Sequence, residues 1–209
     1  MIDGTMMDKI EIRDKIERWY VYRDYFMWDE FRELWHDDGV MIATWSESTF
    51  EEFITNVDTA RKGPGLWGMH VLGSSDINVI GNRAIAMSKL IITERIKIDG
   101  VLVDMNNYAR HYDFWEKRED RWGLVRRETI CDKDTMYPVY AKDIPNFKLD
   151  QEILDRYPEE YQYLAYCIVY KGFQVSTDVP RFSGGPSLEN LLNKGKKWLN
   201  FEIDSPNSK

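Results

Sequence analysis

The chain is poor in the residues that carry metal and redox chemistry, with two cysteines and three histidines in 209 residues. Cys131 and Cys167 stand far apart, without CxxC spacing or the cysteine density of a secreted disulfide scaffold, and they read as reduced core thiols. His36, His70 and His111 lack the close spacing of a ligand set, so the run His36-Asp37-Asp38 reads as a polar turn and no metal is expected. No stretch approaches the ~20 apolar residues of a membrane span, and charge appears too early after Met1 for the apolar segment of a signal peptide. A cytoplasmic protein is the expectation. Positive charge is short as well. The net charge is −8 and the basic residues are scattered among acids, leaving no cationic face for nucleic acid or an anionic membrane. There is no Gly-x-Ser-x-Gly elbow, no phosphate loop, no Gly-x-Gly-x-x-Gly after a strand and no HExxH, so no cofactor is expected.

Core-forming side chains are plentiful. Hydrophobic residues make up 43% and aromatics 14%, with eight Trp and twelve Tyr, which excludes disorder. The length suits one full core plus an appendage, divided here as a main domain over 1–136 and an extension over 137–209.

Apolar positions Ile12, Ile16, Trp19, Tyr20, Phe26 and Met27 recur at steps of three and four, predicting a helix from Asp8 to Trp28. A short helix from Trp28 to Trp35 follows, stopped by Asp37-Asp38-Gly39 before the extended run Val40–Ala43. Thr49 with Glu51 and Glu52 opens a third helix, from Ser48 to Arg61, which Gly63-Pro64-Gly65 ends. Four strand-like runs come next, Trp67–Ile80, Arg83–Ile98, Val101–Lys117 and Arg121–Cys131. Their junctions Gly81-Asn82, Asp99-Gly100 and Glu119-Asp120 predict antiparallel hairpins. Helices first and a meander after give an α+β domain with a concave pocket. Beyond Met136 prolines punctuate the chain. Tyr161–Tyr170 reads as helix or buried strand, and Pro186-Ser187 opens a helix with Leu188, Leu191, Leu192, Trp198 and Leu199 on one stripe.

Asp24 continues the helical line Ile16, Tyr20, Asp24, so its carboxylate lies at or beside the apolar face, where it needs a partner: Arg23, Arg18, or something deeper. Trp28-Asp29 before Phe31, Leu34 and Asp37-Asp38-Gly39, together with Met69-His70-Val71-Leu72-Gly73, resembles the SnoaL-like branch of the nuclear transport factor 2-like superfamily. Scytalone dehydratase, hexachlorocyclohexane dehydrochlorinase and cofactorless formaldehyde lyases are relatives within it. The resemblance implies a cone-shaped α+β barrel, with N-terminal helices packed on a curved, mainly antiparallel sheet and a C-terminal extension. It also implies a catalytic pair, Asp24 orienting His70 as general base, and places an arginine of the dehydrochlorinase type at Arg127, counted from Trp122. Matching the family's pocket strands puts Leu90, Ile92 and Glu94 inside on one strand, and Asn107 and His111 on the next, with Tyr20 beside them.

The family's dehydratases carry a histidine where Glu94 falls and an asparagine where His111 falls, which turns the expectation away from a simple dehydratase. The aromatics Trp19, Tyr20, Tyr22, Phe26, Trp45, Trp67 and Trp115 suit either core or an apolar pocket. The function expected is a cofactor-independent lyase that eliminates water or formaldehyde from a hydroxylated aromatic or polycyclic substrate. An isomerase or cyclase, a non-catalytic ligand binder and a subunit-interaction module are the alternatives. A homo-oligomer, dimer or trimer, is expected because the convex sheet face is rich in aromatics.

Overall fold

The computed structural model describes residues 4–62 and 65–200, with residues 65–67 described by their backbone alone. Gly63-Pro64, expected to end the third helix, and the side chain of Trp67 lie outside the described residues, as do residues 1–3 and 201–209.

Helix α1 (Gly4–Asp24) buries Ile12, Ile16, Trp19 and Tyr20 as one stripe. It stops four residues short of the expected end. Met27 N–H donates to Tyr22 O (2.8 Å) and Phe26 N–H to Arg23 O (3.4 Å), with Phe26 at φ 58°, which is a Schellman turn with a left-handed phenylalanine where glycine is usual. This turn places Asp24 in the last helical position. Helix α2 (Trp28–Arg32) is a single turn. Trp35 then opens strand β1 (Trp35–Ala43) instead of closing a helix, because a register shift between Trp35 and Val40 absorbs Asp37-Asp38-Gly39 as a bulge. A short strand β2 (Ser46–Thr49), not expected from the sequence, folds back on β1. Thr49 and Glu52 form a reciprocal capping box at the start of α3 (Phe50–Ala60).

Strands β3 (Gly65–Ile80), β4 (Arg83–Ile98), β5 (Val101–Arg118) and β6 (Arg121–Pro138) form the meander. Asp99 and Gly100, and likewise Glu119 and Asp120, have positive φ at both turn positions, which suits two-residue hairpins. The order is β2-β1-β6-β5-β4-β3, with β1 parallel to β6 and every other pair antiparallel. The sheet is therefore mixed and open, and the molecule has a cone-shaped α+β fold without closing into a barrel. Strand β6 runs unbroken through Met136 to Pro138, past the expected end at Cys131.

Side chains alternate across this sheet. Ala84, Ala86, Leu90, Ala109 and Trp115 face inward against α1 and α3. Ile85, Tyr112, Phe114 and Ile130 face outward against Leu191 of α6 (Pro186–Leu199). Gly195 permits this, since a Cβ there would overlap the Tyr112 hydroxyl. The outer face of β4 to β6 is thus covered by the chain's own C-terminal helix. Part of the convex face from which a homo-oligomer was expected is therefore covered within the chain, while Tyr137 of β6 stays exposed.

The extension contributes a 3-10 turn (Ala141–Asn146), α4 (Gln151–Leu154) and α5 (Gln162–Tyr170), so the ambiguous segment is helical. Leu164, Ala165 and Ile168 of α5 share a second core with Ile96, Val103, Met105 and Cys131. Asp134 on β6 caps α5 from outside, its Oδ2 accepting the N–H groups of Tyr163 (2.7 Å) and Leu164 (2.9 Å). Both cysteines are buried and free. Among the described residues no helix is long and apolar enough to cross a membrane.

Candidate active site

The end of α1 meets the start of β3 at two side chains. Asp24 Oδ2 accepts the backbone N–H of His70 at 2.6 Å, and Asp24 Oδ1 lies 2.7 Å from His70 Nδ1. An ionised carboxylate only accepts, so Nδ1 carries the proton and the Nε2 lone pair is left free. Arg23 adds a third contact, donating from Nη1 to Asp24 Oδ1 at 3.1 Å. Both partners are nearly enclosed, with side-chain exposures of 11% for Asp24 and 9% for His70. Burial pushes the Asp24 carboxyl up, but the hydrogen bonds and charge of His70 and the charge of Arg23 outweigh it and hold the group below its ordinary value. Burial, with the positive charge of Arg23 second, lowers the His70 imidazole below its ordinary value despite Asp24. His70 is therefore a neutral imidazole near pH 7, with one nitrogen fixed and one available.

A second imidazole is arranged in the same way. His111 Nδ1 lies 2.9 Å from the Tyr20 hydroxyl, and the two rings stack at 5.6 Å and 9°. Burial pushes the Tyr20 hydroxyl up, so it keeps its proton. When the hydroxyl donates to Nδ1, the His111 proton lies on Nε2; when it accepts, the proton lies on Nδ1. Burial and the nearby Arg127 charge hold His111 well below the ordinary imidazole value. The edge of Trp19 packs against both histidines.

These groups border a cavity of about 130 Å³. Its sheet wall is His70, Ile92, Glu94, His111, Met41 and Thr129, and Trp19 and Arg23 come from α1. Phe53 and Trp45 add apolar surface, and Leu164, Ile168, Lys171 and Phe173 of the extension close the other side.

Of the residues singled out in the sequence, His70, Glu94, Ile92 and His111 come together on this cavity. Asp24 and Tyr20 stand one layer behind, each bonded to a histidine. Leu90 lies in the helix-facing core, and Asn107 is fully buried, its Nδ2 donating to Glu160 O at 3.2 Å. Arg127 is also fully buried and does not border the cavity. Its Nε and Nη2 grip Asp113 at 2.7 and 2.6 Å, and its guanidinium lies 4.2 Å from the Trp19 ring centre. The arginine of the dehydrochlorinase type expected at the site thus stands outside the cavity lining: on neighbouring strands Asp113 and Arg127 pair in register, Asp113 takes Nε and Nη2, and the buried Nη1 has no partner among the described residues.

Three charged or polar groups of the cavity were not anticipated as site residues. Arg23 supplies the cavity's arginine, with a buried Nε that has no partner among the described residues. Its adjacency to Asp24 is the only sequence signal. Lys171 pairs with Glu94, and the neighbouring Arg95 binds Asp104. Thr129 faces His111 from β6. His36 is structural: its Nε2 meets Glu116 O at 2.9 Å and its Nδ1 faces Arg121 at 3.1 Å. Among the described residues no three His, Cys, Asp or Glu side chains gather as a metal site.

The model of the SnoaL-like domain matches residues 5–128. A PEP2-like protein of Fusarium vanettenii is 34% identical over 96% of this chain and 89% of its own length. Pea pathogenicity protein 2 of the same fungus is 31% identical over the same shares. Among solved structures, a candidate scytalone dehydratase of Novosphingobium aromaticivorans superposes with a TM-score of 0.56 at 17% identity, over 68% of this chain and 95% of that one. A hexachlorocyclohexane dehydrochlorinase gives 0.57 at 11% identity, over 66% and 92%. A nuclear transport factor 2-like protein of Salmonella enterica gives 0.53 at 19% identity, over 60% and 92%.

Proposed function

Because the chain belongs to the SnoaL-like family, within the nuclear transport factor 2-like fold, we propose that it is a cofactor-independent lyase in which His70 acts as general base. The observation that carries this reading is the two-point grip of Asp24 on the backbone and ring of His70. A surface carboxylate pairing with Arg23 alone would not fix the imidazole tautomer. Here the grip does, and it keeps the Nε2 lone pair of a cavity-lining residue for the substrate.

The reaction begins with removal of a proton by Nε2. In a dehydration the proton comes from the carbon beside a carbonyl and the electron pair moves onto the carbonyl oxygen; its return forms a C=C bond as the β-carbon–oxygen bond breaks, and the departing hydroxide takes the same proton from His70 and leaves as water. In a deformylation the proton comes from a hydroxymethyl hydroxyl, the C=O of formaldehyde forms as the C–C bond breaks, the C–C pair moves onto the conjugated oxygen, and His70 returns the proton to the resulting enolate carbon. In this reading His111, which lines the same cavity, donates from Nε2 to the departing or developing oxygen, with the Tyr20 hydroxyl donating to its Nδ1.

Size narrows the substrate. An engineered apolar cavity of ~150 Å³ holds benzene, so a cavity of about 130 Å³ suits one ring and not a polycyclic skeleton. The reading is therefore a hydroxylated single-ring substrate.

The test is turnover of a panel of monocyclic hydroxylated aromatics and β-hydroxy ketones, followed by mass spectrometry in heavy water. His70→Ala is expected to abolish product and solvent-deuterium incorporation while far-ultraviolet circular dichroism stays unchanged. Undiminished product from His70→Ala overturns the assignment.

A further inference from the structure

Lys171 and Glu94 form an ion pair on the wall of the cavity that holds His70. Their side chains are only 15% and 14% exposed. The pair joins two distant parts of the chain, since Lys171 follows the last turn of α5 and Glu94 stands on β4. In the β3–β4 register His70 lies opposite Ile92, and Glu94 is two residues further along the same face. The strand residue opposite Glu94 is Gly68, where an added Cβ would come within 3.8 Å of Glu94 Cβ and Cγ. The position directly opposite Glu94 thus carries no side chain, and both members of the pair line the cavity.

Fastening the extension does not require this pair. Leu164, Ala165, Ile168 and Phe173 already bury that segment against the sheet. Withdrawing two charges from water into a mostly apolar wall is costly, and such a pair contributes little net stability. An ammonium has three donors, and one carboxylate leaves donors over for a ligand.

The base also creates a demand. An imidazole whose basicity is lowered by burial removes only an acidified proton, so charge developing on the substrate oxygen needs a cation. Arg127 does not line the cavity, and Asp113 holds its Nε and Nη2. Arg23 lines it, but its Nη1 is engaged with Asp24, the residue that holds the base. We propose that Lys171, supplied by the C-terminal extension and aimed by Glu94, is the substrate-binding cation of this site and holds the phenolate or enolate oxygen of a single-ring substrate. The turnover part of this inference rests on the lyase reading; the binding part stands apart from it.

The experiment uses the full chain and para-nitrophenol, whose ionised form absorbs in the visible. Wild-type protein is expected to bind the phenolate in preference to the phenol, lowering the apparent pKa of the dye. Lys171→Met is expected to weaken phenolate binding on the order of tenfold to a hundredfold, the range of one hydrogen bond to a charged group, while phenol binding is retained. Lys171→Arg keeps the preference for the anion, and Glu94→Gln strengthens it by removing the competing carboxylate. His70→Ala leaves the preference in place even as turnover disappears, so failure of the lyase reading and failure of this one are told apart. Equal phenolate affinity in wild type and Lys171→Met, or no preference for the anion in wild type, overturns the proposal. If Lys171→Met does not fold, the Lys171→Arg and Glu94→Gln variants decide in the same way: an unchanged or weakened anion preference in Glu94→Gln overturns it.

Discussion

Asp24 holds His70 through both carboxylate oxygens, one on the backbone N–H and one on Nδ1, so a single side chain fixes both the strand and the ring that it carries. Replacing it by asparagine keeps the shape and spoils the chemistry. An amide presents one oxygen and one NH2, and either orientation sets an N–H against a proton of His70. Asp24→Asn is expected to lower kcat by ~100- to 10,000-fold, the usual worth of a positioned base, and to cost about 1–3 kcal/mol of stability for the unsatisfied donor. Parallel turnover and urea denaturation check both. A variant with full activity would show that the tautomer is set elsewhere.

The pH dependence follows from the His70 imidazole. Its value in the folded protein is lowered, so the free base persists below the ordinary histidine value of ~6.5. The acid limb of kcat/KM is expected to fall below that value, with activity flat above it up to the titration of the substrate. Arg23→Gln removes the positive charge that contributes to the lowering, and should move the limb upward. A rate profile from pH 4 to 8 for the two proteins reads this directly.

Arg127 and Asp113 offer the complementary test. Both are fully enclosed, and breaking one side leaves a buried unpaired charge. Arg127→Met is expected to destabilise by about 3–5 kcal/mol, whereas Arg127→Met with Asp113→Leu recovers much of the loss. The folded double variant should keep turnover if Arg127 has no part in the chemistry. Loss of turnover in a stable double variant would restore Arg127 as a participant.

How much of this was legible in the sequence depends on the range over which each feature is determined. The line Ile16, Tyr20, Asp24 is a local periodicity, whereas the inward side of Leu90, Ile92 and Glu94 came from the family's pocket strands; Ile92 and Glu94 border the cavity and Leu90 lies in the core. The end of α1 was misread because a phenylalanine, not a glycine, takes the left-handed position. The onset of β1 was misread because a bulge hides Asp37-Asp38-Gly39 inside a strand. Lys171 could not be found, since its partner lies 77 residues away and no local pattern announces the contact. For Arg127 the count from Trp122 gave its strand position, but only the register with β5 reveals Asp113 beside it.

Histidine burial makes a second statement about pH, through stability. The value of His111 is well below ordinary in the folded chain, and those of His36 and His70 are also lowered. Below ~6.5 the unfolded state takes up protons that the folded state refuses, so stability present above that pH is lost as pH falls. The thermal midpoint is expected to drop between pH 7 and 5. His111→Gln should flatten that slope by up to ~1.4 kcal/mol per pH unit, whatever its effect at pH 7. An unchanged slope would mean that His111 is protonated in the fold.

Asp134 works in the opposite sense across the same range. Burial, against the two backbone N–H groups at the start of α5, pushes its carboxyl up to about 7, while Oδ1 has no partner among the described residues. The folded state therefore holds a proton that the unfolded state has released, and stability complete below the ordinary value of 3.8 declines as pH rises toward 7. Asparagine keeps an oxygen for the α5 amides and carries no charge. Asp134→Asn should thus gain on wild type steadily from pH 4 to 8, by roughly 2–4 kcal/mol in total at ~1.4 kcal/mol per pH unit. Because α5 brings Leu164 and Ile168 to the cavity, the same variant should hold para-nitrophenol more evenly across that range than wild type does. Denaturation curves at both pH extremes decide it: a constant difference between the two proteins would mean that Asp134 is ionised throughout.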